Sequence, residues 1–89
     1  MARQVNMLAE DTSRIILKNH TKQRMRQRNI TMKHVVECLR QGTCAGGDWP
    51  HQNPQGEWVC NMVRCVAGLD VQVATRVIWD EKIIVVTVF

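Results

Sequence analysis

Residues 69–79 read LDVQVATRVIW, and the alternation of apolar and polar side chains in this stretch decides the fold. One face would carry Leu69, Val71, Val73, Thr75, Val77 and Trp79, and the other begins with Asp70, Gln72, Ala74 and Arg76. A period of two predicts a half-buried antiparallel strand. Gly68 predicts a tight turn that joins this strand to a preceding strand over 58–67. Asp80-Glu81 turn the chain into a third strand over 82–89, which is apolar on both faces and should be central.

Two helices are predicted upstream of these strands. Thr31 is the expected N-cap of the second helix, which Gly42 ends. Its core-facing stripe has the helical spacing i, i+3, i+4, i+7 and consists of Met32, Val35, Val36 and Leu39. The segment 19–28 favours helix by composition, with Asn19 as N-cap and Asn29 as a left-handed end. Residues 14–17 are compatible with helix or extended chain, and a short strand is expected at 43–45.

The fold class expected from this order is α+β, with N-terminal helices packed on an antiparallel meander of three or four strands. The 89 residues suffice for one domain, which we place at 14–89 after an N-terminal extension over 1–13. Neither a leader segment nor a membrane-length apolar run is present, so a cytoplasmic protein is expected. Its four cysteines should be reduced, mostly small core residues. Cys60 and Cys65 would point to opposite strand faces, so no metal and no other cofactor is expected.

Positive charge is concentrated in the first half of the chain. Residues 1–42 hold nine Lys and Arg against three Asp and Glu, whereas residues 43–89 hold three against five. Six basic residues and no acidic one lie between positions 14 and 28: Arg14, Lys18, Lys22, Arg24, Arg26 and Arg28. Such a stripe attracts polyanions through counterion release, which favours RNA as a partner over a merely solvated helix face.

His20, Arg24 and Arg28 form the constellation that could carry chemistry. Their spacing of i, i+4, i+8 places them on one narrow helix face. RNA supplies its own nucleophile, the 2′-OH, so its cleavage needs only a proton carrier and cations for the developing charge. Histidine titrates near neutrality, and arginine presents a fork that fits phosphate oxygens. The alternative is a surface helix whose histidine hydrogen-bonds a neighbouring carbonyl.

The run from His20 to Thr31 resembles the H-x-x-x-R-x-x-x-R-x-I-[ST] signature of a bacterial family of unknown function. The resemblance covers about residues 17–89 and extends to the helix with Val35, Val36 and Leu39 and to the closing strand 80–88. That family has been grouped with the RelE/BrnT-like toxins of the barnase–EndoU–RelE fold. The resemblance implies metal-independent RNA cleavage, with His20 as general base or acid and Arg24 and Arg28 as phosphate clamps.

Three functions are therefore open. The leading one is an endoribonuclease toxin whose partner is an acidic antitoxin, with Lys22, Arg26, Arg76 and His51 as further substrate-binding residues. The second is a non-enzymatic binding module, for example a phage or mobile-element inhibitor of a host nucleoprotein complex. The third is a subunit-interaction domain that forms a homodimer through the strand ending at Phe89. Trp49, in the loop beside His51, is a further candidate for ligand contact.

Overall fold

The computed structural model describes residues 1–45, 51–52 and 54–89, and only the backbone of His51. Its three α-helices are α1 (Ala2–Leu8), α2 (Asn19–Gln27) and α3 (Met32–Gln41), and a 3-10 turn spans Thr12–Arg14. Its strands are β1 (Ile15–Leu17), β2 (Thr43–Cys44), β3 (His51–Gln52), β4 (Trp58–Val66), β5 (Leu69–Ile78) and β6 (Lys82–Val88). The predicted α+β class is confirmed.

The described strands form one mixed sheet in the order β1-β6-β5-β4-β2, and β3 also pairs with β4. The meander β4-β5-β6 is antiparallel, as predicted. In the stretch 14–17, which the sequence leaves open, Arg14 ends a 3-10 turn and residues 15–17 form a parallel partner of β6. Flanked by β1 and β5, β6 is therefore the central strand that its apolar sequence predicts. The short strands β1 and β3 enlarge the sheet beyond the expected three or four strands.

The alternation in β5 is confirmed where the sheet is covered by helices. Val73, Thr75 and Val77 are fully buried, and Val71 is nearly so. Leu69 and Trp79, which share their face by sequence, are 42% and 50% exposed because they lie at the ends of the hairpin turns. The core therefore lies between this face of the sheet and the three helices.

Helix α3 is the main cover of that core. Thr31 is its N-cap, as predicted: the Thr31 side chain accepts from the His34 backbone N–H, and His34 Nδ1 accepts in return from the Thr31 N–H. This reciprocal pair satisfies two of the free donors at the helix start. Val35 and Leu39 are fully buried, whereas Met32, expected in the stripe, is 38% exposed in the first turn.

Helix α1 contributes to the same core. Val5, Leu8 and Ala9 are buried, and Asn6 Nδ2 donates to Leu39 O of α3 at 2.6 Å. On its other side, the Asp80 N–H donates to Gln4 Oε1 at 2.8 Å, which ties the helix to the β5–β6 turn. The segment 1–13 is thus packed against the rest of the chain, and the domain boundary at 13/14 stays a prediction.

Two of the four cysteines are paired, contrary to the expectation of free thiols. Cys44 and Cys60 form a disulfide, because the register sets Cys44 opposite Met62 and Cys60 lies two residues earlier on the same face of β4. Cys38 is a buried core thiol, as expected, and Cys65 is an exposed one.

Candidate nucleic-acid interface on helix α2

Helix α2 packs on β6 through one of its faces, which is buried. Thr21 is fully buried and Met25 nearly so. The helix begins at Asn19 with Lys18 as N-cap, so the prediction of Asn19 as the cap is wrong by one residue; Lys18 offers no side-chain cap. Arg28 is the C-cap, and Asn29 adopts a left-handed backbone (φ 57°), as predicted.

The side chains of α2 protect the edge of β6 that β1 leaves uncovered. β1 pairs only with Ile83–Val85, and the β5–β6 register is irregular at the level of Val86. Thr21 Oγ1 donates to Val85 O at 3.0 Å and to Val86 O at 2.8 Å. The His20 ring reaches Val86 O and Arg24 Nε reaches Val88 O. These contacts supply hydrogen-bond donors to carbonyls near the end of β6, where the pairing with β1 stops.

The hydrogen bond of His20 determines which ring nitrogen is available for chemistry. His20 Nε2 lies 2.8 Å from Val86 O. A carbonyl oxygen only accepts, so Nε2 carries the proton, and in the neutral ring Nδ1 is the nitrogen with a free lone pair. The residue is exposed. Its ring is therefore oriented by the strand and open to solvent, an arrangement that serves a general base and equally a purely structural bond.

The basic residues of α2 divide into two rows. At 100° per residue, His20, Arg24 and Arg28 follow one side of the buried face, which we call the histidine row. Lys18, Lys22 and Arg26 follow the other side, which we call the lysine row. All but the half-buried Arg24 are exposed. In the described part of the chain, carboxylates pair with Arg14 and Arg76 and with no cation of either row.

Arg14, the first cation of the sequence stripe, has a separate role. Its Nη1 donates to Asp80 O and Glu81 O, both at 2.9 Å, and its Nε lies 3.6 Å from the Asp11 carboxylate. Arg14 therefore holds the β5–β6 turn against the chain before β1. Among the described residues, the cations of the stripe without a carboxylate partner begin at Lys18.

The structure does not join Arg76 to the histidine row. Arg76 lies on the sheet face opposite Val77, as predicted, and its Nη1 binds Glu57 Oε1 at 3.2 Å. His51 pairs through its backbone with Val59, the β4 neighbour of Arg76, so β3 brings position 51 to the strands that carry Arg76. The side chain of His51 and the whole of Trp49 lie outside the described residues.

Other described features lie away from α2. A cleft of about 480 Å³ is lined by Phe89 and by residues 63–65 and 70–72 of the β4–β5 hairpin. Another, of about 400 Å³, lies beside α1. Neither includes a residue of the two rows. Within the described ranges, His, Cys, Asp and Glu do not gather in groups of three that could hold a metal. No helix there is long and apolar enough to cross a membrane.

The sequence did not reveal two residues with a role at these surfaces: one that anchors α2 and one that pairs with Arg76. Thr21 anchors α2, and its only sequence signal is a small hydroxyl residue between two rows of cations. Glu57 neutralises Arg76, although nineteen positions separate the two residues. Local periodicity carries no signal for that pair, which depends on strand register.

Comparison with known proteins agrees with the coarser part of the resemblance. No match was found among curated proteins, and none among solved structures. Residues 17–89 match a family model described as a domain of unknown function, DUF4258. This match spans α2, α3 and the whole sheet except the first two residues of β1. The grouping with RelE/BrnT-like toxins stays a prediction, and the chain belongs to the DUF4258 family.

Proposed function

We propose that this domain is a metal-independent endoribonuclease that binds RNA phosphates along the histidine row of α2. One observation carries the proposal: an exposed histidine, with its proton fixed on Nε2, shares a helix face with two arginines that no described carboxylate neutralises. Three residues at i, i+4 and i+8 span about 12 Å along the helix axis. A strand of RNA laid along the row would meet a base and two phosphate ligands.

The proposed reaction uses the substrate's own nucleophile. His20 Nδ1 takes the proton of a 2′-OH as that oxygen attacks the adjacent phosphorus. The 5′-oxygen leaves with a proton from water, and the hydroxide that remains takes back the proton held by His20. The products are a 2′,3′-cyclic phosphate and a 5′-hydroxyl end. Arg24 and Arg28 stabilise the charge that develops on the phosphoryl oxygens. Lys22 and Arg26, in the lysine row, would contact more distant phosphates.

The finer assignments follow from this proposal. A cytoplasmic toxin of the RelE/BrnT-like kind needs an inhibitor, and an acidic antitoxin that covers both rows would neutralise them. Arg76 belongs to the substrate surface only where RNA also reaches the other sheet face, and the contact of His51 with RNA stays a proposal from the sequence. No cofactor takes part in the proposed reaction, which uses side chains and the 2′-OH.

The decisive experiment separates the chemistry of His20 from its hydrogen bond. In His20→Gln, an amide N–H can still donate to Val86 O, but no group can take a proton. The purified chain and this variant are incubated with labelled mixed-sequence RNA in excess EDTA, with and without ribosomes. We expect His20→Gln to lose cleavage at least about 100-fold and to keep its melting temperature and RNA affinity. Equal cleavage by both proteins would refute the role of His20.

A matched pair of arginines tests the assignment of rows. Arg28→Gln and Arg26→Gln remove one exposed charge each, near the same helix end but from different rows. Both should reduce the salt dependence of RNA binding, by about 0.7 in the slope of log K against log salt. Only Arg28→Gln should also slow cleavage of bound RNA. An equal effect of the two on cleavage would contradict the histidine row as the reacting face.

A second function is favoured by the same hydrogen bonds. His20 and Arg24 both bind β6 carbonyls, so they have a structural role that needs no catalysis. The domain would then be a binding module for RNA or another polyanion. Salt-dependent binding with no cleavage product, in the presence and absence of ribosomes, would establish this module in place of the ribonuclease.

A further inference from the structure

Three sulfur atoms meet at the edge of the sheet, on the face covered by the helices. Cys44 on β2 is paired with Met62 on β4, and Cys60 lies two residues before Met62 on the same face. Met62 Sδ lies 4.0 Å from Cys44 Sγ and 3.8 Å from Cys60 Sγ, and the two cysteines are joined as a disulfide. We call these residues the sulfur triangle.

The burial of the triangle is uneven, because two of its residues are enclosed and the third lies nearer the surface. Cys60 and Met62 are fully buried, whereas Cys44 is half-buried on the two-residue strand β2. Thr75 Oγ1 donates to Cys60 O at 2.7 Å, which adds a side-chain hydrogen bond between β5 and β4 at the position of Cys60. The two inner sulfurs are thus fixed by the sheet, and the outer one lies on a short edge strand.

The composition and size of the triangle fit one class of ion. Thiolate and thioether sulfur select soft metals, above all Cu(I). For metal–sulfur bonds of about 2.3 Å, an ion at the centre of three sulfurs requires sulfur–sulfur edges of about 4 Å. The two edges to Met62 already have that length. We propose that, once the disulfide is reduced, Cys44, Cys60 and Met62 bind one Cu(I) ion in a trigonal site.

The two steps balance as follows. A dithiol or phosphine reductant supplies two electrons, and with two protons the Cys44–Cys60 disulfide becomes two thiols. Cu(I) then displaces both thiol protons and accepts an electron pair from each thiolate and from Met62 Sδ, which leaves the site with one net negative charge. Arg64, the next residue on this face of β4, lies beside Met62 and donates from Nη1 to Gln41 O. Its guanidinium offsets that charge in part.

The site is therefore alternative to the disulfide: oxidised protein cannot bind the ion, and bound copper blocks oxidation of the pair. A hard or borderline ion such as Zn²⁺ should bind much more weakly, because it favours four ligands, whereas the triangle offers two thiolates and a thioether. The simpler account, a disulfide against which Met62 packs, predicts no retention of copper.

The test uses the full chain, reduced with a phosphine under anaerobic conditions and titrated against the coloured Cu(I) complex of bathocuproine disulfonate. We expect the protein to withdraw one Cu(I) per chain, and sulfur-only coordination in X-ray absorption. The oxidised protein should withdraw none. Met62→Leu preserves volume and the fold but removes the thioether, so its Cu(I) affinity should fall at least about tenfold.

Two further variants complete the design. Cys44→Ser should abolish uptake, and Cys65→Ser, which alters the exposed free thiol, should leave it unchanged. Circular dichroism checks that each variant is folded. The proposal is overturned if the reduced chain withdraws no Cu(I), if Met62→Leu binds it as tightly as the parent, or if Cys65→Ser loses it. None of these readouts depends on RNA cleavage.

Discussion

Gly42 ends α3 at a point where the backbone of the helix and that of β4 come close together. Helix α3 ends at Gly42, as the sequence predicts, but Gly42 does not adopt the left-handed conformation that glycine usually supplies at helix ends. Its backbone is extended (φ −75°, ψ 176°), which any residue adopts. The glycine is required by space: a Cβ would collide with Cys38 O and lie 2.8 Å from Val63 O. The sequence thus predicts where α3 ends, and the packing of α3 against β4 explains why a glycine is required there.

Gly42→Ala should therefore destabilise the fold through steric overlap with backbone atoms. We expect a loss of about 1–3 kcal/mol in the free energy of unfolding, measured by urea denaturation. Gly56→Ala is the matched control, because its Cβ would meet nothing within 4 Å and its cost comes only from the positive φ of 84°. That cost should be about 1 kcal/mol. A Gly42 variant no less stable than the Gly56 variant would contradict the close approach of α3 to β4.

At the scale of elements, the docking of α2 on β6 positions both rows of cations. Composition predicts the helix 19–28, but not which of its sides is buried, because its basic residues occupy both flanks of Thr21 and Met25. β1 stops at Leu17, and the next turn of chain supplies Thr21, His20 and Arg24 to the carbonyls of Val86 and Val88, which lie beyond the β1 pairing. The same contacts that protect the strand edge orient the proposed catalytic histidine.

Thr21→Val tests that docking directly. The substitution keeps the shape of the side chain but removes the hydroxyl that donates to Val85 O and Val86 O in the buried interior. We expect a loss of about 1–3 kcal/mol in the free energy of unfolding, because carbonyls lose their partner. Thr87→Val is the control: Thr87 is half-buried and its hydroxyl reaches only the adjacent Val88 O, at 3.3 Å. Equal losses in the two variants would show that the Thr21 hydroxyl does not hold α2 on β6.

At the scale of the whole molecule, the sequence predicted α3, the meander and the buried face of β5, because these depend on local periodicity. It left β1 open and did not predict β3. It predicted the cationic helix from composition. The parallel pairing of β1, the Cys44–Cys60 disulfide and the Arg76–Glu57 ion pair depend on strand register between distant segments, which no local pattern encodes. His20, Arg24 and Arg28 share one side of α2, and His20 also makes the carbonyl hydrogen bond that the sequence offered as the alternative, with Val86 O. The catalytic role of the three residues stays a prediction.

The stability of the whole molecule should fall at alkaline pH through one buried thiol. Burial raises the pKa of Cys38 from its ordinary 9.0 to about 11, and the positive charge of Arg64 opposes that rise. Between these two values the unfolded chain releases the thiol proton and the folded chain keeps it. The unfolded state then binds fewer protons, so the free energy of unfolding decreases as pH rises above 9, by at most about 1.4 kcal/mol per pH unit.

Urea denaturation from about pH 8 to about pH 10.5 checks this expectation, and the absence of tyrosine removes one other group that would titrate in the same range. Cys38→Ala should be less stable at every pH, because it leaves a cavity between α3 and the sheet, but its stability should decline less steeply than that of the parent. Cys65→Ser, at an exposed thiol, should retain the parent's slope. Parallel slopes for the parent and Cys38→Ala would contradict this expectation. They would mean that the folded core accepts the Cys38 thiolate as readily as the unfolded chain does.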